Sequence, residues 1–263
     1  MRQRIITGVL AGAFYLALLW IGSFPFALLA TAIAVISYLE LAEMNKLRAY
    51  SPEVMIGALA VAVIVIGAMF SLSSFHDIWL KLFVLLALLF ISAAVVTRNR
   101  ISFAHSAYLF LSVFYISIPF YLLVRIRLDS LILVLFVQII IWSTDSGAYF
   151  VGRKFGKNKL APYISPNKTR EGSIGAVLVA VLIAIIYRLI VGGAFLGTWP
   201  ALIGITLLIS IFGQLGDLTE SAIKRFYGVK DSGSILPGHG GLLDRFDSLI
   251  FVLPILYILG LIG

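Results

Sequence analysis

Apolar residues run along this chain in long blocks, separated by short stretches that carry most of its Lys and Arg residues. A helix rises about 1.5 Å per residue, so about 20 apolar residues cross a hydrocarbon core of about 30 Å. The pattern predicts nine such spans, at 5–22, 24–44, 54–72, 78–97, 105–124, 130–151, 172–192, 200–223 and 246–262. Helices are the expected element, because lipid offers no partner to a free backbone N–H or C=O. The predicted fold class is therefore all-α and polytopic. Only "GSFP" at residues 22–25 divides the first two spans, which reads as a tight helical hairpin.

Composition reinforces this pattern. The 263 residues are 61% hydrophobic and 12% charged, with mean hydropathy +1.08. A water-soluble domain is nearer half apolar and a quarter charged. The apolar N-terminal stretch has the basic start of a signal peptide but no convincing small-residue cleavage site, so it reads as a retained first span. There is no cysteine, which excludes disulfides and thiolate metal sites, and three histidines make zinc a poor candidate.

The net charge of +8 would suggest nucleic acid in a soluble protein. Here it follows the membrane. With the N-terminus in the cytoplasm, sixteen of the Lys and Arg residues fall on that side and four on the other, as basic cytoplasmic loops require. Nine spans then leave the C-terminus outside. The expected location is the cytoplasmic (inner) membrane, and no nucleic-acid partner is expected. Residues 1–130 form N-terminal transmembrane helices with a scaffold role. Gly8 and Gly12 there make a GxxxG pair suited to packing within a chain or between the chains of a homodimer. Residues 131–263 hold the polar groups that topology does not explain. No internal repeat is evident, which gives a repeat-built transporter no support.

Three polar constellations stand out in that half. Asp217, Glu220, Ser221 and Lys224 sit at i, i+3, i+4 and i+7, on one face of the end of the eighth span. A loop with Gly228, Gly233, Pro237, Gly238, Gly240 and Gly241 follows, and its glycines could let backbone amides approach phosphate oxygens. Asp244 and Asp247, at i and i+3, then open the ninth span. Capping explains one Asp at a helix start. Three acids on two helix ends at a membrane edge could instead close around a hard cation, and oxygen ligands suit magnesium.

The second constellation is Asp145 at the end of the sixth span, among Ser143, Thr144 and Ser146. Hydroxyls bonding back to the helix account for the latter three. Asp145 is expected to face a polar cavity. The third is the 152–172 loop, with Lys157, Lys159, Lys168, Arg170 and Glu171. Topology suffices for most of these charges, but "SPNKTREG" places a phosphate-type lysine, Lys168, near an acid, Glu171, at the mouth of the seventh span. Glu40 and Glu43, beside Lys46, read as ordinary helix-surface pairing. His76 and His105 read as interface or packing residues.

Residues 221–247, "SAIKRFYGVKDSGSILPGHGGLLDRFD", resemble the signature of the phosphatidate cytidylyltransferase (CDP-diacylglycerol synthase) family. The pattern S-x-φ-K-R-x₄-K-D-x-small-x₂-φ-P-x-H-G-G-φ-x-D-R-φ-D is met by Ser221, Lys224, Arg225, Lys230, Asp231, Gly233, Pro237, His239, Gly240, Gly241, Asp244, Arg245 and Asp247. Residues 165–172 resemble a second stretch of that family, S-P-x-K-T-x-E-G, through Ser165, Pro166, Lys168, Thr169, Glu171 and Gly172. The resemblance implies that CTP and phosphatidic acid react to give CDP-diacylglycerol and pyrophosphate. On this basis magnesium is expected on Asp217, Asp244 and Asp247, with a second cation as an option. Lys168, Lys224, Arg225 and Arg245 are expected to hold phosphates. His239 is a candidate donor to the leaving group, and Asp145 and Glu171 would line the site. Ser221, Lys230, Gly240 and Gly241 complete the expected substrate contacts. The rivals are another membrane phosphotransferase, such as a CDP-alcohol phosphatidyltransferase, whose D-G-x₂-A-R-x₈-G-x₃-D-x₃-D pattern is missing here, or a polyprenol-phosphate sugar transferase, and a cation-coupled transporter.

Overall fold

The computed structural model describes residues 2–70, 75–192, 195–235, 238 and 240–262. The elements run α1 (Arg2–Ile21), α2 (Ser23–Met44), α3 (Pro52–Gly67), α4 (Phe75–Val96), α5 (Phe103–Asp129), α6 (Leu131–Phe155), β1 (Lys159–Ala161), β2 (Ser165–Thr169), α7 (Arg170–Val191), α8 (Trp199–Phe226) and α9 (Leu243–Ile258). The chain divides into two compact units. One comprises Met1–Arg125 with Ser232–Leu243, the other Ile126–Asp231 with Asp244–Gly263.

In the first unit, α1 turns into α2 through Gly22 (φ 68°) and Ser23 (φ 51°), which is the tight hairpin expected from "GSFP". α2 packs closely on α3 because Gly57 leaves room for Tyr38. A Cβ at that glycine would overlap the Tyr38 ring and hydroxyl. The Tyr108 hydroxyl donates to Leu41 O at 2.7 Å, tying α5 to α2. Phe83 of α4 and Phe110 and Phe114 of α5 form an aromatic cluster with centroids 5.0–5.3 Å apart.

The second unit is built on small residues. α7 buries Gly172, Ala176, Ala180 and Ala184, one per turn, and presents Ile174, Leu178, Leu182 and Leu189 outward. Against that stripe α6 brings Gly147, where a Cβ would lie 3.1 Å from Ala176 Cα. Small residues let membrane helices approach to van der Waals contact, which is what holds them together in lipid. α8 turns its polar face inward: Thr206, Ser210, Glu220 and Lys224 are buried, while Ile203, Ile211 and Leu215 are exposed. Thr144 of α6 donates to Ser210 of α8 at 3.1 Å, a buried hydrogen bond between two spans. A helix with its polar stripe inside and its apolar face outside has lipid, not water, as its surroundings.

Nine helices lie among the described residues, and five of them are long and apolar enough to cross a membrane: α2, α5, α6, α7 and α8. Thr7–Ile21, Pro52–Gly67 and Lys81–Val96 are shorter apolar stretches. α3 stops at Gly67 where the apolar pattern runs to residue 72, and α9 has 16 residues. The protein is an all-α membrane protein with one small addition. The 152–172 stretch, expected to be a loop, contains an antiparallel hairpin, with Lys159 opposite Thr169 and Ala161 opposite Ser165. Three and five residues with Pro166 among them carry no alternation to read. A proline is tolerated in β2 because each strand of a two-stranded sheet keeps an unpaired edge.

Candidate active site

The expected i, i+3, i+4, i+7 face of α8 forms. Ser221 Oγ donates to Asp217 Oδ1 at 3.3 Å, and Lys224 Nζ lies 2.5 Å from Glu220 Oε2. Two further elements then meet this face. From the hairpin, Lys168 Nζ stands 2.6 Å from Asp217 Oδ2. From α9, Asp244 Oδ1 accepts from Lys224 Nζ at 2.6 Å.

Local sequence explains why α8 and α9 come so close. Gly216 precedes Asp217, and a Cβ there would sit 2.6 Å from the Asp247 carbonyl oxygen and 3.1 Å from Ser248 Cα. The glycine thus lets the α9 backbone pass beside Asp217. Asp247 turns its Oδ1 onto the Ser248 amide at 2.7 Å and lies within electrostatic range of Asp217, Asp145 and Lys224. Asp145, on α6, feels Asp217 and Lys168 in turn. Thr169 ends β2 and caps α7 by accepting the Gly172 amide at 3.1 Å, which fixes the hairpin bearing Lys168 to the α7 start.

The site therefore gathers Asp145, Lys168, Asp217, Glu220, Ser221, Lys224, Asp244 and Asp247 from α6, β2, α8 and α9. Five carboxylates face two lysines. The pairs differ in setting. Lys224 and Glu220 are buried, whereas the Lys168 and Asp217 side chains keep 23% and 30% of their surface open. Buried charges stand only where paired, so Lys224 is what makes Glu220 tolerable. The surplus of carboxylates suits a cation, and an oxygen-only donor set suits a hard one. Among the described residues no three acidic or histidine side chains converge on one point. Asp217 and Asp244 each hold an ammonium instead.

Other expected site residues take different places. Glu171 accepts from the backbone amides of Lys157 (3.0 Å) and Asn158 (3.2 Å) and from Asn158 Nδ2 (2.6 Å), so it closes the turn between α6 and β1. Arg225 donates to Val229 O at 3.0 Å and to Ile164 O at 3.4 Å, bridging the end of α8 to the hairpin turn. Lys230 and Arg245 are exposed. Ser143 bonds back to Ile140 O at 2.9 Å, as a helix hydroxyl does. His239 lies outside the described residues. Gly240 has φ 81°, a backbone state that favours glycine.

One residue departs from its expected setting. Glu40 is not a surface partner of Lys46: it is 3% exposed and accepts hydrogen bonds from Ser232, Leu242 and Leu243. Gly233 and Gly241 pack on its carboxylate, so those two loop glycines make room for an acid. No local spacing could have joined it to partners about 200 residues away in sequence. The one available signal was an acid inside an otherwise apolar predicted span.

The pattern of the cytidylyltransferase family matches residues 2–262. The chain is 43% identical over 263 residues to the phosphatidate cytidylyltransferase of Bacillus subtilis (strain 168), covering 98% of this chain and 97% of that one. It is 41% identical over 259 residues to that of Staphylococcus haemolyticus (strain JCSC1435) and 40% identical to that of Staphylococcus aureus (strain COL). Both matches cover 98% of each chain.

Proposed function

The chain belongs to the cytidylyltransferase family, and from that premise we propose that it transfers the CMP moiety of CTP to phosphatidic acid at the cluster of Asp145, Lys168, Asp217, Lys224, Asp244 and Asp247. The products are CDP-diacylglycerol and pyrophosphate. The observation that carries the assignment to these residues is the pair of 2.6 Å contacts, Lys168 with Asp217 and Lys224 with Asp244, which join both polar motifs in one place.

An oxygen of the phosphatidic acid phosphate forms a bond to the α-phosphorus of CTP. The bond from that phosphorus to the oxygen bridging to the β-phosphate breaks, and pyrophosphate leaves with the electron pair. A phosphate monoester is already ionised near neutral pH, so the work is positioning and charge neutralisation. Lys168 and Lys224 each carry three donors on a flexible stem. As substrate enters, they turn from carboxylate to phosphate oxygens. Ser221 steadies Asp217 during that exchange. Arg225 and Glu171 hold the hairpin that carries Lys168.

The carboxylates so released fit magnesium by their chemistry, and Asp217, Asp244 and Asp247 would hold it, with Asp145 lining the site. Bound there, magnesium supplies neutralisation of the triphosphate charge. His239 is the candidate donor to pyrophosphate.

All nine helices cross the membrane, with the N-terminus and the site on the cytoplasmic side. α3 and α9, at 16 residues, reach about 24 Å, and local bilayer thinning accommodates them. Phosphatidic acid stays in the bilayer and CTP stays in water, so the site opens to both the cytoplasm and the inner leaflet. Purified protein in vesicles, given labelled CTP, tests the reaction. Label should enter chloroform-soluble lipid only when phosphatidic acid and protein are both present. Label that stays in the aqueous phase rejects it.

A further inference from the structure

Resting on that reaction, we propose that Glu40 is a positioning residue for it, acting through the segment Ser232–Leu243 that leads into Asp244. The carboxylate uses both oxygens. Oε2 accepts from Ser232 Oγ at 2.8 Å and from the Leu243 amide at 2.9 Å, and Oε1 accepts from the Leu242 amide at 2.8 Å. Leu243 is the first residue of α9, so its amide is one of the donors that a helix start leaves without an intrahelical partner. A carboxylate there also meets the positive end of the helix dipole. The amide of this first helical residue is thereby held by an acid from α2.

The glycines of the segment support the same role. A Cβ at Gly233 would lie 2.6 Å from Glu40 Oε1, and one at Gly241 would overlap both Ser232 Oγ and Glu40 Oε2. The backbone is bare where it wraps the carboxylate. Gly241 also has no left-handed backbone angle to account for it. The peptide bond from Leu243 passes this constraint to Asp244, and Asp247 follows one turn later. Glu40 thus touches no substrate, yet sets where two of the proposed magnesium ligands begin.

The full-length protein with Glu40→Gln in lipid nanodiscs tests this. Glutamine has one acceptor oxygen in place of two and turns an N–H toward a backbone that already offers one. Hydrogen exchange followed by mass spectrometry should show faster exchange in peptides covering 232–243, with the rest of the chain as in the parent. Turnover per folded molecule should fall roughly 10–100-fold, and the magnesium concentration for half-maximal rate should rise, as for other residues that orient metal ligands. Unchanged exchange overturns the anchor. Faster exchange with unchanged turnover and magnesium dependence reduces Glu40 to a structural residue and overturns the positioning role. If Glu40→Gln does not fold, Ser232→Ala removes one of the three bonds and should move the same readouts less far; parent-like values there overturn the proposal. Should the parent make no CDP-diacylglycerol, the reaction assignment fails while the exchange result still stands by itself.

Discussion

Lys168 Nζ and Asp217 Oδ2 meet at 2.6 Å, and they come from a surface hairpin and a membrane helix. The ion pair joins the two motifs of opposite charge on which the proposed transfer depends. Replacing Asp217, Asp244 or Asp247 by Asn keeps size and removes charge. Each change is expected to lower turnover by orders of magnitude while the protein still elutes as a folded species. Near-normal rates in all three variants would remove the magnesium assignment.

The two lysines are expected to respond differently. The Lys168 pair is partly open, and such pairs contribute about 0–1 kcal/mol to stability. Lys168→Gln should therefore leave the unfolding temperature near the parent's and act on the Michaelis constant for CTP or phosphatidic acid, or on turnover. Lys224 is buried between Glu220 and Asp244, and removing it strands two carboxylates, at about 3–5 kcal/mol. Lys224→Gln should lower both stability and rate, and adding Glu220→Gln should restore part of the stability. Equal thermal shifts for the two single variants would contradict the difference in burial.

Gly216 and Gly204 lie on the same helix and offer a paired test. A Cβ at Gly216 would press on the backbone of α9 at Asp247 and Ser248, whereas one at Gly204 meets nothing within 4 Å. Gly216→Ala is expected to cost about 1–3 kcal/mol and to reduce activity by parting Asp217 from Asp247. Gly204→Ala should be neutral or stabilising by up to about 1 kcal/mol. Thermal unfolding of the two variants side by side decides the matter.

Chelation is expected to abolish activity and added magnesium to restore it, with the chain folded throughout by circular dichroism. Activity that survives exhaustive chelation would leave Asp217, Asp244 and Asp247 with a purely electrostatic role.

Reporter fusions after Gly263 and within residues 193–199 should both report the outer side of the membrane. A cytoplasmic signal from either would mean that one of the short helices does not cross.

Much of the site was legible because it is helical and local. The spacing of Asp217, Glu220, Ser221 and Lys224 put them on one face, and that face forms with the bonds the spacing implies. Spacing could not say which charge meets which. The carboxylate partners of Lys168 and Lys224, Asp217 and Asp244, come from other elements and are set by packing, not by register along one helix. The hairpin was hidden by its brevity. Glu171, one residue inside α7, also clamps the preceding turn, a contact that its spacing from Lys168 does not announce. Glu40 was the least legible, since two of the three donors it binds are backbone amides, which carry no residue-type signal, and the third, Ser232, lies 192 residues away.

The bonds of Glu40 also set an order of assembly. Its carboxylate is made 192 residues ahead of the Ser232 hydroxyl and 203 ahead of the Leu243 amide. At about 5–20 residues per second, roughly 10–40 s pass before those donors exist. A polar group without partners is costly in hydrocarbon, so this end of α2 has reason to stay near the headgroup plane until those donors are made. A chain truncated before residue 232 lacks all three of these donors to Glu40.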